Sequence, residues 1–237
     1  MTRTLLLVIV LGLLSCRRPA APAPSPHVAA PPRAGVAQGL QIPRANRPPV
    51  LAQHDDDPLW QQAVTTGPWL QPDTQSPARP YSQARLLWDA HALYLSLYAA
   101  DQNIEAFGAR HDEPLWPHDS FAVRIQADLP DAPTFAVDLA PTGTVTDLRL
   151  SNSQPDSAWE SGALVSMDMD GTLNNAGGED DEEWVAFVAL PWQPMRIVPV
   201  PGLRVRLQFK RCDVPKDGVK RCGEWAQTVV LAGSARP

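Results

Sequence analysis

Four residues between positions 110 and 159 could form a ligand site, because they combine aromatic rings with charged groups: Arg110, Trp116, Asp119 and Trp159. Both tryptophans lie in polar segments between strand-like runs, so their rings are candidates for exposure. An exposed tryptophan can stack on a flat apolar ligand surface, while aspartate and arginine hydrogen-bond to hydroxyl groups at its rim. This chemistry is typical of a site that binds a sugar, and Trp116 is the principal candidate for the stacking face.

Catalysis is not expected from the acidic residues. Nothing in their spacing marks the pair of carboxylates that a glycosidase places across the scissile bond. Asp89, Asp101 and Asp138 lie at the ends of strand-like runs, where turns favour aspartate. The sequence also lacks the GxSxG, HExxH and phosphate-loop motifs. We therefore predict a protein that is not an enzyme.

The alternation of apolar and polar residues predicts an all-β protein. Phe121, Val123 and Ile125 alternate with polar residues, and about nine such runs follow one another with almost no helical periodicity. This pattern predicts an antiparallel β-sandwich of two sheets, of the jelly-roll or immunoglobulin-like kind. Four tryptophans in or beside apolar runs are expected in its core: Trp60, Trp88, Trp184 and Trp192.

The first 16 residues are typical of a targeting segment, with Arg3 before an apolar run that is too short for a permanent membrane span. The run ends in Ser15-Cys16, which resembles the lipobox of bacterial lipoproteins and implies cleavage before Cys16 and acylation of that cysteine. An ordinary secretory signal is the alternative. Because Arg17 rather than aspartate follows the cysteine, the outer membrane is the favoured location, on its periplasmic face or at the cell surface.

Residues 17–50 are predicted to be a disordered linker, since they are rich in proline and alanine and contain no acidic and no aromatic residue. Their five arginines suit an anionic membrane surface. The folded domain is predicted to span residues 51–233. All 26 acidic residues but only 14 of the 20 basic ones lie beyond residue 50, a formal charge of −12, which argues against a nucleic-acid partner.

Two further cysteines, Cys212 and Cys222, flank an Asp217-Gly218 turn signal between two strand-like runs. Outside the cytoplasm such a pair is expected to form a disulfide across a hairpin. A metal site is less favoured, because no histidine or further cysteine lies nearby in the sequence.

Six segments in order resemble the family 9 carbohydrate-binding modules and their wider β-sandwich superfamily: DPLW, ARLLWDAHALYLSLYAAD, DEPLWPHDSFAVRIQ, FAVDLAPTGTVTDLR, GTLNN and EEWVAFVALPW. The resemblance runs from about Asp57 to Trp225. It implies non-catalytic binding of saccharide ends, in some members between two tryptophan faces, and structural calcium in some. Trp116 matches an aromatic position on the binding rim. Ala122 and Ala140 replace a glutamate and an asparagine that are common in the family.

The two alanines favour an alternative, a surface interaction or scaffold lipoprotein that keeps the sandwich without the sugar site. A further alternative from the same superfamily is non-covalent haem binding, for which histidines and methionines are available although no CxxCH motif exists. No cofactor is predicted. Calcium could bind the acidic residues 168–183, but a solvated loop is favoured there. The expected partners are a saccharide and, through the lipid anchor, the membrane, and the protein is expected to be a monomer.

Overall fold

Strands dominate the described part of the chain, which in this computed structural model comprises residues 39–51, 57–107, 110–175 and 181–233. No helix within these residues is long and apolar enough to cross a membrane. The predicted signal segment with its acylated Cys16, and most of the predicted linker, lie outside the described residues.

The strands are short to medium in length and follow one another with few interruptions. They are β1 (Leu40–Ile42), β2 (Val64–Thr65), β3 (Ser82–Trp88), β4 (Ala92–Ala100), β5 (Ser120–Ala127), β6 (Thr134–Leu139), β7 (Val145–Ser151), β8 (Gln154–Asp156), β9 (Leu164–Asp170), β10 (Glu183–Pro191), β11 (Arg204–Asp213) and β12 (Arg221–Leu231). A 3-10 helix (Pro58–Gln62) and a four-residue helix α1 (Trp192–Met195) are the helical elements among the described residues.

The strands form two sheets. The order in the seven-stranded sheet is β1-β12-β11-β5-β6-β7-β8, and in the five-stranded sheet it is β2-β3-β4-β10-β9. Neighbouring strands are antiparallel except β1, which pairs with β12 in parallel. The prediction of a two-sheet β-sandwich is confirmed.

The core lies between the sheets because each strand places alternate apolar residues on its inner face. Phe121, Val123 and Ile125 of β5 are fully buried there. Strands β4 and β10 are buried on both faces, since the 3-10 helix covers the outer face of the five-stranded sheet with Leu59 and Trp60. The prediction that four tryptophans lie in the core is confirmed: Trp60, Trp88, Trp184 and Trp192 are all buried.

The folded unit begins before residue 51, so the prediction that residues 39–50 belong to a disordered linker is wrong. β1 pairs with the edge of the seven-stranded sheet and places Ile42 in the core. The indole of Trp88 donates to the Ile42 carbonyl oxygen (3.0 Å). Arg47 forms an ion pair of 2.6 Å with Asp57 and holds the pKa of that carboxyl well below its usual range. β1 has only three residues, which is too short for an alternation of apolar and polar side chains to be recognised from the sequence.

The predicted disulfide is confirmed. Cys212 of β11 lies directly opposite Cys222 of β12, and their sulfur atoms are 2.05 Å apart. The two strands are joined by a turn in which the Gly218 amide donates to the Pro215 carbonyl oxygen, with Gly218 at a φ of +71° that glycine adopts without strain.

Removing the segment around β1 is expected to destabilise the domain. A chain that begins at Leu51 lacks the buried side chain of Ile42 and the Ile42 carbonyl oxygen that accepts from the Trp88 indole. Its free energy of unfolding should therefore be lower by roughly 3 kcal/mol or more than that of a chain that begins at Gly39. Urea denaturation followed by tryptophan fluorescence measures the difference. Equal midpoints for the two chains would show that β1 contributes nothing.

Candidate functional site

Trp116 lies in the loop between β4 and β5 and leaves 75% of its surface exposed, more than any other large apolar residue of the described chain except Val198. Its neighbour Leu115 is buried and packs against Ala106 and Ala140. The amide of His118 donates to the Leu115 carbonyl oxygen (3.1 Å), which closes a turn around Trp116. The loop is therefore held by a buried leucine while the indole faces solvent.

Asp119 ends this loop and is fully buried rather than exposed to a ligand. Its two carboxylate oxygens accept from the amides of Glu105 and Val214, each at 2.6 Å. Buried amides need such acceptors, so the carboxylate joins three chain segments beneath the Trp116 loop. The structure gives Asp119 the geometry of a positioning residue, whereas the sequence predicted a direct ligand contact.

Asp119 belongs to a buried cluster with two further carboxylates, Asp101 and Asp213, whose oxygens lie within 4.8 Å of one another. Arg211 is the cation inside this cluster, because its Nη2 donates to Asp101 and to Asp213 at 2.8 Å each. Burial raises the pKa of Asp119 to about 8, with the charge of Asp101 adding to the effect and the two backbone hydrogen bonds opposing it. Burial likewise raises the pKa of Asp213 to about 6. One guanidinium thus pairs with two of the three carboxylates, and a proton on Asp119 reduces the remaining negative charge of the cluster near neutral pH.

Of the other two predicted site residues, Trp159 is buried and Arg110 is exposed. Trp159 is only 9% exposed, donates its indole hydrogen to the Pro194 carbonyl oxygen (3.1 Å) and packs against Phe135. The prediction that it is an exposed stacking residue is wrong, since its loop folds back over the core. Arg110 is on the surface at the start of the Trp116 loop, where its Nε pairs with Glu113 at 2.5 Å.

One residue missed by the sequence analysis, Phe107, lies in the same β4–β5 loop as Trp116, and another, Lys220, contacts that loop. Phe107 is 53% exposed, and its ring centroid is 5.3 Å from that of His118. The Asp119 amide donates to the Glu105 carbonyl oxygen at 3.0 Å, which brings the two ends of this loop together. Lys220, from the turn between β11 and β12, donates to the Trp116 carbonyl oxygen. Burial lowers the pKa of Lys220, and the charge of Lys210 lowers it further.

The outer face of the seven-stranded sheet continues from this loop. It contains a shallow groove of about 390 Å³, lined mainly by long polar side chains: Arg124, Gln126, Thr134, Arg206, Gln208 and Thr228. The charged groups on this face pair with one another, Arg124 with Asp138 and Lys210 with Glu224.

Ala122 and Ala140, which replace polar residues common in the family 9 modules, lie in different parts of the structure. Ala122 lies on the outer face between Lys210 and Asp138, so no carboxylate projects from β5 at that point. Ala140 is buried against Leu115, where a small side chain lets the Trp116 loop pack closely. Only Ala122 therefore changes the polar groups that a ligand on this face would meet.

Comparisons with known proteins define the fold. No family model matches the sequence, and no curated protein matches it significantly. A solved structure from Bacteroides uniformis, of a protein whose proposed role is carbohydrate binding, covers 82% of this chain and 99% of its own, with 11% identity and a TM-score of 0.64. A family 9 carbohydrate-binding module from Caldicellulosiruptor kristjanssonii, solved with glucose, covers 84% of this chain and 97% of its own, with 12% identity and a TM-score of 0.56. The same kind of module solved with cellotriose gives 12% identity and a TM-score of 0.51 over 83% of this chain and 94% of its own. The chain thus has the fold of a β-sandwich like that of the family 9 modules.

The buried carboxylates predict that stability falls as the pH rises. Asp119 and Asp213 keep their protons at pH values where the unfolded chain, with a carboxyl pKa of about 3.9, has lost them. The contribution of these two protonated carboxyls to the free energy of unfolding is complete below about pH 4, and it is lost as the pH rises through about 6 for Asp213 and about 8 for Asp119. The free energy of unfolding should therefore decrease by at least about 1 kcal/mol between pH 5 and pH 9. Urea denaturation at a series of pH values measures this. Asp213→Asn should flatten the part of the curve near pH 6, and a wild-type curve that rises with pH would contradict the assignment.

Proposed function

We propose that this protein binds saccharide without catalysing a reaction, with Trp116 as the stacking face. The observation that carries the proposal is the exposed indole of Trp116 on a loop held by buried Leu115 and buried Asp119. A rigid, solvent-facing ring loses little conformational freedom when it stacks on the apolar face of a sugar.

The surroundings of Trp116 support this proposal. Phe107 offers a second exposed ring in the same loop, and Lys220 and Arg110 place donors at the edges of that loop. Such groups can hydrogen-bond to sugar hydroxyls. The fold likeness to modules solved with glucose and cellotriose supports the same class of ligand. Phe107 takes the place that the sequence analysis gave to Trp159 as the second aromatic.

The saccharide affinities of Trp116→Ala and the wild-type chain can be compared by glycan array and calorimetry, starting from glucose and cello-oligosaccharides. Loss of the stacking face should weaken binding at least about tenfold, or roughly 1.4 kcal/mol. Phe107→Ala should give a smaller loss. The control is Tyr81→Ala, which removes another exposed aromatic ring and should leave the affinity unchanged. Undiminished binding by Trp116→Ala would place the site elsewhere.

One observation favours a second candidate, an interaction scaffold without a sugar site. The outer face has no carboxylate at Ala122, and its charged groups are engaged with one another in the pairs Arg124–Asp138 and Lys210–Glu224. A folded wild-type protein that binds none of the plant, microbial and peptidoglycan sugars on the array would support the scaffold.

The proposal includes the cellular setting, in which Cys16 is acylated and a monomeric domain is tethered to the outer membrane. The Ser15-Cys16 pair after an apolar run supports it. Cys16→Ser should move the protein from the membrane fraction to the soluble fraction, as measured by fractionation and immunoblotting. Unchanged membrane association of this variant would contradict acylation at Cys16.

A further inference from the structure

We propose that His111, Asp112 and Asp147, with Glu160 beside them, form a binding site for a divalent transition metal of the zinc type. His111 and Asp112 belong to the loop that carries Trp116, Asp147 belongs to β7, and Glu160 lies between β8 and β9. Three segments that are distant in the sequence thus meet at one point. The site is separate from the acidic residues 168–183 that the sequence analysis considered for calcium.

The distances within the group suit a small cation. One ligand atom from each of His111, Asp112 and Asp147 lies within 4.8 Å of the other two. The Nε2 of His111 is 3.6 Å from Oδ1 of Asp112 and 2.9 Å from Oε2 of Glu160. Ligands of tetrahedral zinc are bound at about 2.0–2.2 Å and are therefore roughly 3.3–3.5 Å apart. To complete the coordination, the Asp112 and Asp147 oxygens would move closer to the ion, and the Glu160 oxygen would move slightly away from His111.

Asp147 gives the strongest indication of a missing partner. It is only 3% exposed, and its Oδ2 accepts from the Ser161 amide at 2.8 Å. Its Oδ1 is also buried but has no hydrogen-bond partner among the described residues. A buried carboxylate oxygen without a partner is costly, and it lies in the group that contains an imidazole and a second carboxylate. A bound cation would satisfy this oxygen.

The ligand types favour zinc over calcium or magnesium. Imidazole suits zinc and its neighbours in the first transition series, whereas calcium and magnesium prefer ligand sets made of oxygen atoms. The group has three carboxylates and one histidine, so a dication would offset most of its negative charge. The buried cluster of Asp101, Asp119 and Asp213 differs, because Arg211 already provides its cation.

A metal here would fasten the Trp116 loop to the seven-stranded sheet. The Asp112 amide already donates to the Val145 carbonyl oxygen at 3.0 Å, and the Thr146 hydroxyl donates to the Glu113 carbonyl oxygen. A metal that joins Asp112 to Asp147 would reinforce these contacts at the base of the loop. This role does not depend on saccharide binding.

The test uses the purified chain without an affinity tag, after treatment with a chelator and removal of the chelator. Calorimetry with zinc chloride should show one ion per chain with a Kd in the micromolar range or below, and zinc should raise the Tm. Cobalt(II) should give the visible absorption of a nitrogen- and oxygen-ligated ion. His111→Ala and Asp147→Asn should each weaken zinc binding at least tenfold.

His91→Ala is the matched control, because His91 is an exposed histidine in the β3–β4 turn, outside the group. It should change the zinc affinity less than twofold. His111 is itself largely on the surface, so the metal-free Tm of His111→Ala should equal that of the wild type and a folding defect would not obscure the result. Absence of binding at 100 µM zinc, binding unaffected by His111→Ala, or equally tight binding of calcium would each overturn the proposal.

Discussion

The buried ion pairs of Arg211 hold the two sheets of this protein together at one end. Asp101 follows β4 of the five-stranded sheet, while Arg211 belongs to β11 of the seven-stranded sheet. The same Asp101 carboxylate accepts from the indole of Trp184, which is fully buried in the core. A buried guanidinium that loses one partner typically costs 3–5 kcal/mol, so these groups must remain together. Asp119 lies beside them, and its hydrogen bonds with the Glu105 and Val214 amides connect this cluster to the Trp116 loop.

Much of the fold is predictable because it depends on a local period. Alternation of apolar residues identifies β5 and β11, and the spacing of Cys212 and Cys222 around a turn identifies their hairpin. β1 is too short to show a period, and its place in the core depends on a contact with Trp88, 46 residues later in the chain. Such long-range contacts leave no mark in the spacing of nearby residues.

The candidate site was only partly predictable for the same reason. Exposure of Trp116 could be inferred from its polar loop, but the same reasoning failed for Trp159, whose loop is drawn inward by contacts with Phe135 and Pro194. Asp119 shows that an aspartate at the start of a strand can act as an acceptor for distant amides. Phe107 became part of the candidate site because a backbone hydrogen bond folds the β4–β5 loop back on itself, which residue types alone do not reveal.

The parallel pairing of β1 with β12 determines where the chain enters the folded unit. β12 begins at Arg221, next to Lys220 and the Trp116 loop, whereas Leu40 of β1 lies opposite Val229, eight residues further along β12. At about 3.3 Å per residue this separates the entry of the chain from the Trp116 loop by roughly 26 Å. An attachment that pulls on the chain before Gly39 would thus act at a distance from the exposed indole. The exposed indole and the start of the folded unit therefore lie near opposite ends of β12.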